Sequence, residues 1–165
     1  ADESETRVFD SEFAFVGPAA FDPGLLIGEL LINYVSWSGK RGSADSIEDY
    51  RAYLKATIEE VYERFERRFA SNWESSASDL IAAVPGYRQS YLRNLFVDAI
   101  GYAGVVMIRR MHGLAHNLDV DGIKDEATRR DVQVQILETA EELMLNREAF
   151  SNIHDVTQLV RARVG

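Results

Sequence analysis

A chain of 165 residues with 46 % apolar and 27 % charged side chains holds enough hydrophobic material for one core and lies far from the composition of a disordered segment. Its 27 acidic residues against 18 basic ones give a net charge of −9, which repels polyanions, so no nucleic acid is expected as a partner. With no cysteine, disulfides, thiolate nucleophiles and zinc thiolate sites are excluded, and an intracellular, cytoplasmic setting is favoured.

The first residues, "ADESETR", are acidic and lack the apolar stretch and cleavage pattern of a signal peptide. Lacking an initiator methionine and entering a β-like run from a polar turn, the chain looks cut from a longer polypeptide, a start that N-terminal processing would also produce. From Thr6 to Val16 the β-prone Val8, Phe9, Phe13, Phe15 and Val16 predict one or two short strands. Asp10 and Glu12 are two apart there, so an extended backbone points both carboxylates to one side. "GPAAFDPG" is turn chemistry, and Asp22 before Pro23 predicts an N-cap followed by the first residue of a helix over Pro23 to Trp37. Leu25, Leu26, Leu30, Ile32 and Val35 leave little of that helix polar, which predicts burial on most sides. The longest apolar run, Leu25 to Val35, is interrupted by Glu29 and Asn33 and is too short for the ~20 residues that span a bilayer, so no membrane segment is expected.

After the polar loop "SGKRGSADS", Asp45 with Glu48 offers a capping box for a long helix over Ser46 to Phe69. Ile58, Val61, Tyr62, Phe65 and Phe69 form its apolar stripe, while Glu59, Glu60, Glu63, Arg64, Arg67 and Arg68 read as a solvated face. A short turn over Asp79 to Ala83 stops before Pro85. A third long helix follows over Arg88 to Leu114, with Gly101 and Gly104 inside it; each costs roughly 1 kcal/mol against alanine, which predicts a closely packed neighbour. The "NLDVDG" turn, a helix over Ala127 to Arg147 and a short last helix in "IHDVTQLVRARV" complete the chain. No internal repeat is present.

Three groups of residues carry possible chemistry. The Asp10 and Glu12 pair is either a solvent-facing strand edge or a ligand set for a hard cation such as Mg²⁺, which takes one or two carboxylates and completes its shell with waters and phosphates. Arg109 and Arg110 lie near the end of an apolar helix, where cations are favoured by the macrodipole, and where guanidinium groups can also clamp hydroxyls or an anion. Neighbours 100° apart do not serve one face equally, so one arginine is expected to be structural. His112 and His116 share a face at i, i+4, but with Gly113, Leu114 and Ala115 between them they lack the glutamate of the zinc-hydrolase pattern. No nucleophile elbow, phosphate-binding glycine loop or dinucleotide fingerprint occurs.

The stretches "VFDSEFAFVGPAAFDPGLLIGELLINY" and "YLRNLFVDAIGYAGVVMIRRMHGLAH" resemble the C-terminal lobe of the S-methyl-5-thioribose kinases, part of the protein-kinase-like superfamily with the aminoglycoside and choline kinases. The resemblance continues through "DYRAYLKATIEEVYERFERRF" and the last helices. It implies a mainly α chain, the helical C-lobe of a protein-kinase-like fold over 1–165, with a metal-site strand or hairpin and turn over 1–22 and a helical subdomain over 23–165. It implies Asp10 and Glu12 as Mg²⁺ ligands in an Asp-x-Glu motif, Asp22 as support for the catalytic loop, and Arg109 and Arg110 at the sugar. Ser11 replaces the proline that relatives commonly carry, and Ala19 and Ala20 leave room for a divergent substrate. The implied parent transfers the γ-phosphoryl of ATP to the 1-hydroxyl of 5-methylthioribose in methionine salvage, and relatives are often homodimers. The catalytic base and the nucleotide-binding N-terminal lobe would lie upstream of Ala1, so the chain alone is expected to be inactive. Two alternatives stand beside this. One is a kinase of the same fold for choline, homoserine or an aminoglycoside, the last disfavoured by the arginine pair. The other is a non-catalytic helical interaction domain whose acidic face binds a basic partner.

Overall fold

The computed structural model describes residues 15–40 and 42–164. Among them lie six α-helices and no strand: α1 (Phe21–Ser36), α2 (Ala44–Ser76), α3 (Tyr87–His112), α4 (Leu118–Asp121), α5 (Glu126–Leu145) and α6 (Ile153–Val164). The mainly helical expectation is met. Of the expected strand segment only Phe15 and Val16 are described, and neither is in a strand.

α3 is the central element, and glycine decides how closely its neighbours approach. On one side lies α1. A Cβ at Gly24 would come within 2.6 Å of the Ala99 carbonyl oxygen, and one at Gly28 within 2.7 Å of that of Ala103, so α1 and α3 meet almost backbone to backbone. On the other side lies α5, where a Cβ at Gly104 would meet Met144 Cγ at 2.6 Å and the Ala140 carbonyl oxygen at 2.8 Å. Gly104 thus has the close neighbour its helical position predicts, whereas Gly101 faces only the Arg147 side chain, 3.3 Å from the same hypothetical atom. Around this axis Ile27, Leu31, Ile32 and Val35 of α1 are buried with Ile100 and Met107 of α3 and Ile136 and Leu143 of α5. α3 is long and apolar enough to cross a membrane by length and composition, and its place in this core accounts for that apolarity.

Several boundaries differ from their sequence expectations. The N-cap of α1 is Ala20, not Asp22, because Phe21 N–H already donates to the Pro18 carbonyl at 3.0 Å and Gly24 N–H to that of Ala20. The Phe21 ring, 5.4 Å edge-on from Tyr102, draws the helix start toward α3 and leaves Asp22 exposed in the first turn. The N-cap of α2 is Ser43, whose Oγ accepts from Ser46 N–H at 3.2 Å; Glu48 instead accepts from Arg161 Nη2 of α6 at 3.1 Å. α2 also runs on to Ser76, past the expected end at Phe69, because its far half is zipped to the start of α3 by aromatic rings. Phe69 stacks on Tyr91 at 5.7 Å and 10°, and Trp73 lies 5.0 Å from Tyr91 and 5.9 Å from Tyr87. Between them Gly86, at φ +83°, makes the left-handed turn into α3.

Candidate functional site

Because Gly28 allows α1 to touch α3 at Ala103, the residues that follow on both helices are also neighbours, and Glu29 meets Arg110 across the interface. Glu29 Oε1 accepts from Arg110 Nε, and its Oε2 accepts from Asn117 Nδ2 at 3.1 Å. Asn117 in turn caps the one-turn helix α4, its Oδ1 accepting from Asp119 N–H at 3.0 Å. The Asp119 carboxylate accepts from Asn33 Nδ2 at 2.8 Å and from Lys40 Nζ at 3.1 Å. Asn33 Oδ1 accepts from Trp37 Nε1 at 3.1 Å, and Lys40 Nζ lies 4.6 Å from the centre of the Trp37 ring. These half-buried polar side chains tie the end of α3 and the loop after it to the second half of α1.

The arginine pair is therefore unequal, as neighbours 100° apart should be. Arg110 is anchored with 27 % of its side chain exposed, whereas Arg109 is exposed and its guanidinium has no hydrogen-bond or ion-pair partner among the described residues. α3 ends at His112, with Gly113 N–H closing onto the Arg109 carbonyl at 2.7 Å, so His116 does not share its face; it lies 3.6 Å from Asp121 instead. Among the described residues no group of three or more His, Asp and Glu is placed to hold a metal ion. Asp22 stands seven residues before Glu29 on α1, about 10 Å along the axis, and is not part of this cluster. Asp10 and Glu12 lie outside the described residues.

Glu29, Asn117, Asp119, Asn33 and Lys40 were missed as site residues by sequence reasoning. The signal for two of them is in the sequence: Glu29 and Asn33 are the only polar residues in the apolar run of α1, and they recur at helical spacing. A second polar cluster joins α2 to α6, where part of the face expected to be solvated is covered. Glu59 Oε1 accepts from Lys55 Nζ and Thr157 Oγ1, both at 2.5 Å, and lies 3.1 Å from His154 Nδ1, while His154 Nε2 lies 3.0 Å from Glu63 Oε1. Burial pushes the Glu59 carboxyl up, but the hydrogen bonds from Lys55, Thr157 and His154 outweigh it and hold the group below its ordinary value. The hydrogen bond with Glu59, assisted by Glu63, raises His154 above its ordinary value. Apart from these clusters, a groove of about 450 Å³ lies between α3 and α5, lined by the apolar Ile108, Val134, Leu137 and Met144 and by Glu138 and Glu141.

Six helices and no strand among the described residues are consistent with a helical C-terminal lobe. The particular likeness comes from sequence: over nearly its whole length the chain is related to the methylthioribose kinases. It is 35 % identical over 159 residues to the methylthioribose kinase of Yersinia enterocolitica, covering 96 % of this chain and 40 % of that protein. Against the methylthioribose kinase of Geobacillus kaustophilus it is 36 % identical over 155 residues, 94 % of this chain and 37 % of the other. That of Klebsiella pneumoniae is 31 % identical over 159 residues, with 96 % and 40 % covered. The chain thus spans about 40 % of the length of the curated relatives it matches. No family model matches it.

Proposed function

We propose that this chain is the C-terminal, substrate-side part of a Mg²⁺- and ATP-dependent kinase that phosphorylates the 1-hydroxyl of 5-methylthioribose, in methionine salvage and in the cytoplasm. The observation that carries this reading is the identity of 31 to 36 % with methylthioribose kinases across nearly all of the chain. Arg109 and Arg110 would contact the sugar. Supporting that role, one guanidinium is held by an acid and the other is exposed beside it, so the pair offers donors to hydroxyl or phosphoryl oxygens rather than neutralising one another's surroundings. Asp10 and Glu12 would hold Mg²⁺; a pair of carboxylates is the donor set that this hard cation accepts. Mg²⁺ bound there would supply charge neutralisation at the phosphates. Asp22, exposed at the start of α1, would steady the catalytic loop contributed by the rest of the parent.

Phosphoryl transfer depends on positioning and on electrostatic stabilisation more than on covalent chemistry by the protein. The chain's own residues therefore bind and orient the acceptor, while the base and the nucleotide-binding lobe are supplied from outside these 165 residues, as is any homodimer partner. The test is ADP release by the full-length parent with Mg·ATP, comparing 5-methylthioribose with ribose, choline, homoserine and an aminoglycoside. Selective turnover of methylthioribose is expected. Preference for another alcohol would move the substrate within the fold, and no turnover by a folded parent would leave a non-catalytic interaction domain. The isolated chain should release no ADP under the same conditions; measurable turnover by it would contradict the division of labour.

A further inference from the structure

We infer that Glu29 is a positioning residue for Arg110, and that the two arginines have separate tasks: Arg110 presents a fixed pair of donors and Arg109 an unrestrained charge. The inference deepens the kinase reading and rests on it for its activity readout.

Glu29 is an acid in the middle of the apolar run of α1, placed one residue beyond a close approach of α1 to α3 at Gly28. Its backbone therefore has little freedom relative to that of Arg110. Its side chain has little more, since Oε1 takes Arg110 Nε and Oε2 takes Asn117 Nδ2 at 3.1 Å. Asn117 is fixed at its other end by capping α4, and α4 is fixed through Asp119 to Asn33 and Lys40. The glutamate is thus held by a network and is not a loose surface partner.

The atom it grips matters. A guanidinium held by Nε keeps both terminal nitrogens, and neither Arg110 Nη1 nor Nη2 has a partner among the described residues. Two parallel N–H donors on a plane that is already oriented match two adjacent oxygens, such as vicinal hydroxyls or two oxygens of a phosphoryl group. Pre-orientation also lowers the side-chain entropy lost when those oxygens arrive. Arg109 has no such anchor among the described residues, so it supplies charge more than geometry.

An ordinary interhelical ion pair would look alike in the fold but would behave differently on mutation. In the full-length parent, Glu29→Gln keeps the shape and is expected to lower kcat/KM for methylthioribose about tenfold, with the folded state retained by circular dichroism. In an Arg110→Lys background, which has no Nε to grip, the same change should cost less than roughly twofold, whereas in an Arg109→Ala background it should again cost about tenfold. Equal costs in all three backgrounds, or a kcat/KM unchanged by Glu29→Gln, would overturn the inference. The Arg110 Nε–H resonance provides a readout without turnover: it should shift on Glu29→Gln and stay in place on Arg109→Ala. A parent inert toward methylthioribose would defeat the kinase reading alone, and an Nε–H resonance indifferent to Glu29 would then defeat the positioning role by itself.

Discussion

At the scale of single residues, the two polar clusters respond to different perturbations. Arg109 has no partner among the described residues, so Arg109→Ala should change stability by less than about 0.5 kcal/mol. Arg110→Ala leaves the half-buried Glu29 with one partner fewer and should cost about 1 kcal/mol, read by urea denaturation of the two variants side by side. At the α2–α6 cluster the variable is pH. The folded state raises His154, so its contribution is complete below the ordinary imidazole value of 6.5 and disappears as pH climbs through the higher folded value. Glu59 is the opposite case: its contribution is present above the ordinary carboxyl value of 4.5 and is lost as pH falls through the lower folded value. The clamp is therefore strongest between the two titrations, where a protonated His154 donates to both Glu59 and Glu63 and Lys55 shares Glu59. A melting temperature followed across pH 4 to 9 should fall on both sides of that window, and His154→Gln should flatten the alkaline side. An unchanged alkaline limb in that variant would remove His154 from the clamp.

At the scale of elements, the glycines inside the helices divide by what a methyl group would strike. A Cβ at Gly104 runs into the Ala140 backbone carbonyl at 2.8 Å, and the packed α3–α5 pair must separate to admit it. Gly104→Ala should destabilise by roughly 1 to 3 kcal/mol, even after a helix-propensity gain of about 1 kcal/mol. Gly101 meets only the Arg147 side chain at 3.3 Å, which can swing aside, so Gly101→Ala should be neutral or stabilising by up to about 1 kcal/mol. Denaturation midpoints of the two variants should move apart; a common shift would mean that close packing does not separate the sites. The same logic explains why α2 outruns its expected end. Its stripe continues as Phe69 and Trp73, but a reader of α2 alone does not see Tyr87 and Tyr91, which meet them from α3.

At the scale of the whole molecule, α3 is packed on both sides, while among the described residues the far end of α2 is held by the aromatic zipper and the Arg88–Glu74 pair. Leu80, Ile81 and Val84 beside it are exposed. Hydrogen exchange should therefore be slowest for the α3 amides from Leu95 to Met107 and much faster for α2 beyond Phe69. Equal protection along α2 would contradict a graded bundle. Arg110 lies near the end of this central helix, so its backbone is carried by an element packed on both sides.

The sequence alone determined the helical class, the approximate spans of α1, α3 and α5, the closeness implied by Gly104 and the likeness to methylthioribose kinases. All of these are written in local periodicity or in contiguous motifs. It also showed that the arginines could not be equivalent, since 100° separates them on any helix. Which of the two is anchored was decided only by tertiary structure, because Glu29 lies 81 residues away in the chain. The same holds for Glu59 and His154, whose contact places an acid of the expected solvated face under α6. A helical pattern tells which residues share a side of their own helix. It carries no information on which other helix covers that side, and that covering helix fixes what each polar group touches.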